Sequence, residues 1–385
     1  MEKGRYITEE ELIYYNSFCQ ILPGASSTQL LTLIAYKRGR FPLALLTLLI
    51  WIFPAALLMG SLSFLVGTDF IRYDGNSIFR FIQPMAIGFL IFATIRSFQI
   101  SIKNFITHII MLVSMVITFF FFKTPWVFPI LLLCGGIATN FSDKRIPEKE
   151  KPTGRPIRWT NLLALIAVFV LAGFFSETAR KNEWKERKAF NLFENFYRFG
   201  SIVFGGGDVL LPMMLDQYVV RPNTENARKK NPDPLVIEKA ELLTGYGLVR
   251  AMPGPVFSVS SFMGGVLMKG KSVYHQVAGC CIATIAIFMP SVLMVLFFFP
   301  VWQYLKKYVV VFRALEGINA VVVGFMWAGA LFLLKDMMMD EVAGNFILDI
   351  LFVVLTAFLL YFTKIPTPLL VIAFLLMGYF SFAVL

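Results

Sequence analysis

Continuous apolar stretches of about 17 to 25 residues recur along the chain from Leu43 to its C-terminal end. As a helix, each stretch is long enough to cross the roughly 30 Å of hydrocarbon in a bilayer. Backbone amides in lipid must be satisfied within the protein, so spanning segments are helices or a closed barrel, and the lack of period-two alternation favours helices. At least nine spans are predicted, at residues 43–67, 81–101, 104–122, 126–142, 161–177, 275–300, 310–334, 346–363 and 366–384.

Three further apolar segments, near residues 18–36, 193–215 and 240–268, are interrupted by glycine, proline and hydroxyl residues. In secondary transporters built from repeats, interrupted segments of this kind form half-helices whose ends lie inside the membrane. The predicted fold class is therefore an all-α polytopic membrane protein with broken or re-entrant helices.

Composition agrees with this class, because 57% of the residues are hydrophobic and only 15% are charged. Soluble domains carry about a quarter charged residues. The formal net charge of +11 lies in short loops without interleaved aromatic residues, so the expected partner is the lipid bilayer and not nucleic acid. No N-terminal signal peptide is evident, and the expected location is the cytoplasmic membrane, with multiple passes.

An N-terminal part and a C-terminal part of the chain also resemble each other in sequence. The segment Gln20–Gly24 (QILPG) aligns with Arg250–Gly254 (RAMPG) at an offset of 230 residues, and sequence rich in hydroxyl groups follows each copy. At an offset of 236, Pro54 matches Pro290 and residues 87–89 match residues 323–325. Two landmarks that share one offset predict a duplicated unit, which we interpret as an inverted repeat, with a parallel repeat as the alternative.

This duplication divides the chain into a first transporter unit at 1–142 and a second at 191–385. Residues 143–160, rich in basic residues and proline, are predicted to form a cytoplasmic linker, followed by a connecting helix and amphipathic segment at 161–190. The glycine-rich segment at 204–208 has no counterpart in the first unit, since that counterpart would fall before the first residue. The first unit is therefore expected to lack its N-terminal glycine motif.

The distribution of basic residues predicts the topology. With the linker in the cytoplasm, the turn Lys37–Arg40 is also inside, and the turn that contains Asp69 and Asp74 is outside. The basic run Arg180–Lys188 fits this orientation poorly.

The broken segments are the candidate substrate site. Glycine permits close approach of backbone amides to a ligand, and a proline break exposes the partly positive N-terminal end of the next half-helix. Such ends, one from each unit, would bind a small inorganic anion; the alternative is that these residues only kink helices and permit close packing. The candidate substrate-binding residues are Gly205, Gly206, Gly207, Arg250, Pro253, Gly254, Pro255 and Ser258 in the second unit, and Gln20, Pro23, Gly24, Ser26, Ser27, Thr28 and Gln29 in the first.

Ionisable residues inside apolar runs cost about 2.5 to 3.5 kcal/mol each, so they are further candidates. Arg250 offers a planar donor fork suited to a tetrahedral oxyanion; alternatively it snorkels or pairs with Glu241. Asp208 is a candidate for the carboxylate that couples transport to protons, or it caps the following helix. Glu316 is the other coupling candidate, with an interfacial pair to Arg313 as the alternative.

Three segments resemble signatures of the chromate transporter family: Cys19–Gln29 (CQILPGASSTQ), Phe204–Met213 (FGGGDVLLPM) and Ala251–Pro255 (AMPGP). The resemblance extends over nearly the whole chain. It implies a two-unit membrane carrier that exports chromate, either in exchange for sulfate or driven by protons. Two positions depart from the family pattern, because Asp208 stands where an uncharged residue is frequent and Ala25 where proline is frequent.

The expected function is thus transport of a small oxyanion, chromate first and sulfate as the alternative, with an anion channel as the less favoured mechanism. An enzyme is not expected, since the sequence has no HExxH motif, no cluster of aspartates and no plausible Ser–His pair. No cofactor or metal is expected either, because His108 and His275 lack metal-like neighbours. The sequence leaves a homodimer open.

Overall fold

The computed structural model describes residues 7–65, 78–122, 124, 126–141, 159–225, 229, 231, 233–270, 272–305, 309–339 and 346–384. Across these residues the chain is helical and contains no β-strand, which confirms the predicted all-α class. The α-helices of the described residues are α1 (Glu9–Ile21), α2 (Ser26–Ser63), α3 (Ile82–Ser101), α4 (Phe105–Phe120), α5 (Val127–Ala138), α6 (Trp159–Lys181), α7 (Arg187–Ile202), α8 (Leu210–Met214), α9 (Lys239–Leu248), α10 (Val259–Leu267), α11 (Val273–Leu305), α12 (Val309–Met339), α13 (Phe346–Phe362) and α14 (Thr367–Val384).

Each predicted span coincides with a helix. By length and composition, α2, α3, α6, α11 and α12 are able to cross a membrane, whereas α4, α5, α13 and α14 are shorter apolar helices. The predicted span at 126–142 is too long, because α5 ends at Ala138 and a 3₁₀ turn follows at Thr139–Phe141. The predicted linker at 143–160 lies outside the described residues except for its last two, which begin α6.

Positions along helix α11 define depth in the helical bundle, because the two ends of this helix contact elements on opposite sides of the bundle. Near its N-terminal end, Cys280 Sγ lies 3.7 Å from Ser63 Oγ at the end of α2. Near its C-terminal end, the centre of the Phe299 ring lies 5.4 Å from Lys37 Nζ. We call the two corresponding sides of the bundle the α11-N face and the α11-C face.

The first broken segment is a helical hairpin that enters from the α11-C face. Tyr15 of α1 packs edge-on against Phe299, with ring centres 5.6 Å apart. Leu33, in the first part of α2, belongs to the same buried cluster together with Val295. The break lies at residues 22–25, between the end of α1 and the start of α2. Because both limbs pack on the same end of α11, this hairpin is re-entrant.

Helix α2 then changes direction at Gly39 and Arg40, where Arg40 has a φ of 56°. Its second part runs towards the α11-N face, where a Cβ on Gly60 would lie 2.8 Å from Ser261 Oγ. Only this second part of α2 extends from one side of the bundle towards the other.

The α9–α10 segment forms a second hairpin, which enters from the opposite, α11-N face. Glu241 near the start of α9 forms an ion pair with Lys269, just after α10. Gly264 of α10 packs on Gly279 of α11 so closely that neither position has room for a Cβ. Small residues permit this close approach of helices in a membrane bundle. The tip of the hairpin is residues 249–258, as the broken pattern predicts.

A third hairpin enters from the same α11-N face. Helix α7 leads to residues 203–207, which we call the glycine turn, and α8 and a π-helical turn lead back outward. Its outer ends are joined by Asp233, whose carboxylate lies 3.2 Å from Arg187 and 2.6 Å from Lys188. Three hairpin tips therefore lie inside the bundle, one from the α11-C face and two from the α11-N face.

Candidate functional site

The three hairpin tips meet beside a single turn of α11. Gly200, beside the glycine turn, packs on the Ile287 carbonyl. The Phe257 ring lies with its centre 6.1 Å from that of Phe288. The Ala25 amide donates a hydrogen bond to Ser291 Oγ at 3.1 Å. Residues 287 to 291 correspond to only about 6 Å of helical rise. All three tips thus lie at one depth.

The tips also contact one another, and the glycine turn is the bridge between the other two. The Gly24 amide donates a hydrogen bond to the Val203 carbonyl at 2.6 Å. On the other side of the turn, a Cβ on Gly207 would lie 2.8 Å from the Cβ of Val256. The two proline–glycine breaks converge, as the sequence predicts.

Each break is followed by the start of a helix or of a 3₁₀ turn, whose first amides precede the first helical hydrogen bond. Helix α2 begins at Ser26, and the preceding Ala25 provides no side-chain cap. In the second break, a 3₁₀ turn at Val256–Ser258 precedes α10. Gly24 and Gly254 have φ values of 109° and 147°, which residues with a Cβ rarely adopt. The two copies of the motif therefore share an unusual backbone conformation.

Buried polar atoms without a hydrogen-bond partner accompany both breaks. An unsatisfied buried group costs about 1–3 kcal/mol, so such groups are uncommon unless water or a ligand completes them. Those at the breaks are Thr28 Oγ1, Gln29 Oε1, Ser258 Oγ, Ser260 Oγ and the indole Nε1 of Trp51. Trp51 belongs to this group because Gly254 packs on the same turn of α2. Two of the predicted hydroxyl residues, Thr28 and Ser258, are thus buried without a hydrogen-bond partner.

Gln29 has a different role from the hydroxyl groups. Its side-chain Nε2 donates to the carbonyl of Pro23 at 2.6 Å, so the amide spans the first break. The atom left without a partner is an acceptor, Oε1. Gln29 therefore positions the break, and it is not a donor to an anion in this conformation.

An ion pair joins the glycine turn to the second break. The Asp208 carboxylate accepts a hydrogen bond from the Tyr246 hydroxyl at 2.8 Å and also pairs with the Arg250 guanidinium. The guanidinium carbon lies 4.6 Å from the centre of the Tyr246 ring and 5.3 Å from that of Phe89, so cation–π contacts hold it further. The pair has no net charge, so Asp208 does not present an unbalanced negative charge at the tips.

Two sequence-based alternatives for these residues are wrong. Arg250 pairs with Asp208 and not with Glu241, whose carboxylate pairs with Lys269 instead. Asp208 makes no capping hydrogen bond at the 3₁₀ turn or at α8. The reason is that Tyr246 and Arg250, four residues apart, present two donors to the Asp208 carboxylate, and one of them carries a full positive charge, which the backbone amides of a helix start do not.

The tips have an open side. Gly205, Ser27 and Pro253 are exposed, and a Cβ on Gly206 would meet nothing within 4 Å. Of the other candidates, Pro23, Ser26, Gly207 and Gly254 are half-buried, and Gly24 and Pro255 are buried. Backbone amides at the glycine turn are therefore accessible to a small ligand.

Two candidate residues lie apart from the tips. Gln20 is exposed on α1, although its alignment with Arg250 predicts a place in the site. Glu316 is buried on α12 and accepts a hydrogen bond from Asn104 Nδ2 at 2.5 Å. Arg313, the partner considered for Glu316, donates to the Asn140 carbonyl at 3.0 Å.

Sequence reasoning missed four residues of the site: Ser291, Tyr246, Phe89 and Trp51. Tyr246 precedes Arg250 by one helical turn, so helical spacing could have identified it. Ser291 follows one of the repeat landmarks, Pro290, but nothing in the sequence links it to the first break. Within the described part of the chain, no group of three or more His, Cys, Asp or Glu residues could hold a metal ion.

Hairpin tips that meet inside a bundle of apolar helices define a polytopic membrane protein of the kind found among secondary transporters. The sequence model of the family described as "Chromate transporter" matches residues 1–139 and 190–379. The chain therefore belongs to the chromate transporter family, as its motifs predict, and it is a membrane transport protein.

A curated relative is the "Chromate transport protein" of Cupriavidus metallidurans (strain ATCC 43123 / DSM 2839 / NBRC 102507 / CH34). It is 22% identical over 393 residues, which cover 100% of this chain and 86% of the relative. The similarity therefore includes the segments that form all three hairpin tips. No solved structure matches the chain.

Proposed function

We propose that the protein carries chromate across the membrane and binds it where the three hairpin tips meet beside residues 287–291. The observation that carries this proposal is the pair of buried hydroxyls without partners, Thr28 and Ser258, one behind each break, in a member of the chromate transporter family. A tetrahedral dianion offers four acceptor oxygens, which hydroxyls and free amides at the breaks can satisfy.

The donors of this site come from the backbone and from one side chain. The first amides of α2 precede its first helical hydrogen bond, from Gln29 to Ala25, and those of Val256 and Phe257 precede the bond from the Ser258 amide to the Pro255 carbonyl, so dipoles at both helix starts favour negative charge. Arg250 also has a buried Nε without a partner, although its Nη2 is engaged by Asp208. Its free N–H can donate to an oxyanion without separating the ion pair.

We further propose that the two units are an inverted duplication. The first part of α2 runs from its break towards the α11-C face, whereas α10 runs from its break towards the α11-N face. Gly88 of α3 packs against Thr356 of α13, and Gly324 of α12 packs against Ser114 of α4. In a duplication that matches α3 with α12 and α4 with α13, each of these contacts is the counterpart of the other.

This arrangement supports alternating access. Two hairpins that enter from opposite faces can each open the site to one side while the other keeps it closed. We propose export from the cytoplasm across the cytoplasmic membrane, coupled to sulfate entry or to protons, with Asp208 and Glu316 as the candidate coupling carboxylates. Sulfate has the same charge and shape as chromate, so an amide cradle would bind it as a competitor.

Radiolabelled chromate uptake into proteoliposomes tests the proposal, with Gly206→Ala as the diagnostic variant and Gly270→Ala as its matched control. Both glycines have positive φ, 102° and 87°, and open space around the missing Cβ, so in both variants alanine strains the backbone without a steric collision. Only Gly206 lies at the tips. The strain in Gly206→Ala displaces the local amides from the anion and raises the half-saturating chromate concentration about ten-fold, and Gly270→Ala stays within about two-fold of wild type.

If chromate uptake is saturable and is accelerated by sulfate on the opposite side of the membrane, the protein is a carrier that exchanges the two ions. Uptake that is linear in chromate and insensitive to the opposite side identifies a channel, and no uptake of either anion refutes the proposed function. Equal effects of the two glycine variants would show that chromate does not bind at the hairpin tips.

A further inference from the structure

A second polar site lies outside the hairpin tips, in a cavity of about 60 Å³ between the two units. The first unit contributes the ends of α4 and α5 that face each other across a short turn, including Thr118 and Phe128. The second unit contributes α7 and the π-helical turn, with Arg198, Gln217 and Arg221. Neither proline–glycine break lines this cavity.

Two guanidinium groups converge there on one neutral acceptor. Arg198 Nη2 and Arg221 Nη1 donate to Gln217 Oε1 at 3.0 Å and 2.7 Å. Two cations that share one amide oxygen repel each other, and the repulsion is stronger in a partly buried cavity than in water. An anion between them would relieve it.

Each of these cations has a carboxylate nearby, but the two pairs differ in closeness. Asp216 forms an ion pair with Arg221. Arg198 Nη2 donates to two neutral amide oxygens, since its second bond is to Asn195 Oδ1 at 2.6 Å. Glu194 Oε1 lies 3.6 Å from Arg198 Nε, which is within ion-pair range but longer than a hydrogen bond. Arg198 is therefore the more loosely paired of the two cations.

An unsatisfied donor also points to a missing ligand. Arg221 Nε is buried without a hydrogen-bond partner, whereas Asp216 Oδ1, also unpartnered, is an acceptor and does not bind an anion. The side chains of Arg198 and Arg221 are 29% and 19% exposed, so a small anion can reach them from the cavity. A guanidinium fork matches the oxygen spacing of a tetrahedral oxyanion.

The cavity lies between the hairpin tips and the α11-N face. Arg198 is two residues before Gly200, which contacts α11 at the depth of the tips, and the start of α7 lies at the α11-N face, where Glu186 is 3.5 Å from His275. Ile202, which lines the cavity, directly precedes the glycine turn. An anion in the cavity is thus about one helical turn from the transport site.

We propose that this cavity is a vestibule that binds a tetrahedral oxyanion between Arg198 and Arg221 before it passes to the hairpin tips, or after it leaves them. The inference depends on the proposed function for the identity of the transported ion. A phosphate group of an anionic lipid has the same tetrahedral oxygen chemistry and is the other source of an occupant.

Transport measured from each face separately tests the vestibule. The diagnostic variant is Arg198→Gln, which leaves Asp216 and its ion pair in place. The matched control is Arg180→Gln, which removes an arginine near the same face that pairs with Glu177 at 2.6 Å. Vesicles are prepared in both orientations, and the masses of tryptic fragments identify the exposed face.

Arg198→Gln raises the half-saturating chromate concentration about ten-fold when chromate is presented at the α11-N face, because one charge-assisted bond is lost. From the α11-C face the value is unchanged, and Arg180→Gln is unchanged from both faces. Arg198→Lys, which keeps the charge and loses the fork, recovers part of the affinity. Gel filtration and the thermal midpoint verify that the variants are folded.

Vesicles made with and without phosphatidylglycerol separate the two sources of the oxyanion. If Arg198→Gln raises the half-saturating chromate concentration in vesicles that contain only zwitterionic lipid, the occupant is the free ion. If the increase is seen only when phosphatidylglycerol is present, the occupant is the lipid phosphate. Equal half-saturation for wild type and Arg198→Gln from both faces overturns the vestibule and leaves the transport proposal intact. If wild type shows no saturable uptake, the proposed function fails, and equilibrium dialysis with chromate still tests whether Arg198→Gln weakens binding.

Discussion

The two proline–glycine breaks share a backbone conformation but differ in chemistry. The first is held by neutral hydrogen bonds, from Gly24 to the Val203 carbonyl and from Ala25 to Ser291. The second is tied to the glycine turn by the pair of Arg250 with Asp208. If the two units are a duplication, as proposed above, all the charged side chains at the tips therefore lie in one of them.

The largest expected effect comes from removal of the charge in the second break. Arg250→Ala leaves the Asp208 carboxylate in the bundle without its cation, and the free energy of unfolding falls by about 3 kcal/mol. The measurement is unfolding of the purified protein in mild detergent. The control is the double variant Asp208→Asn with Arg250→Gln, which makes the second break neutral like the first and recovers most of the loss. A single variant as stable as wild type would contradict the ion pair.

The next effect compares the hydroxyl groups that follow each break. Thr28→Val and Ser258→Ala each weaken chromate binding about ten-fold, because a donor to the anion is lost. Neither variant loses stability, since a buried hydroxyl without a partner costs free energy in the empty protein. Equilibrium dialysis and thermal midpoints measure the two quantities. Ser61→Ala, at an exposed serine whose hydroxyl bonds to the Leu57 carbonyl, is the control with unchanged affinity.

A smaller effect is expected at the contact that holds the first break against α11. Ser291→Ala removes the acceptor of the Ala25 amide, which then stays buried without a partner. We expect the free energy of unfolding to fall by about 1 kcal/mol. Ser291→Thr, which keeps the hydroxyl, should lose less, and equal losses in the two variants would show that packing, not the hydrogen bond, is responsible.

The smallest effect concerns the outer end of the third hairpin. Partial burial raises the pKa of Asp233, but hydrogen bonds and charge from Lys188 and Arg187 outweigh it, so the pKa lies below its ordinary value. The stabilisation is therefore complete above the unfolded pKa of about 4 and is lost as the pH falls through the lower folded pKa. Because Asp233 is half-exposed, the difference between wild type and Asp233→Asn is below about 1 kcal/mol at pH 7. The difference between the thermal midpoints should shrink as the pH is lowered from 4, and a difference that grows instead would contradict the assignment.

Local patterns identified the parts of this molecule that local physics determines. Apolar run length predicted the helices, and glycine with proline predicted the breaks, because both act within a few residues. The pair of Asp208 with Arg250 joins residues 42 positions apart in the chain, and no periodicity connects them. The cavity at Arg198 likewise depends on how α4 and α5 pack on α7, so only the folded chain brings its two arginines to one amide oxygen.

The hydrogen bond from the Gly24 amide to the Val203 carbonyl has a consequence for the proposed carrier. It joins the hairpin that enters from the α11-C face to one that enters from the α11-N face, so under alternating access a movement that separates these two hairpins has to break it. A Cβ on Gly24 would collide with Ser291. Glycine at this position is therefore what allows the two hairpins to approach within hydrogen-bond distance.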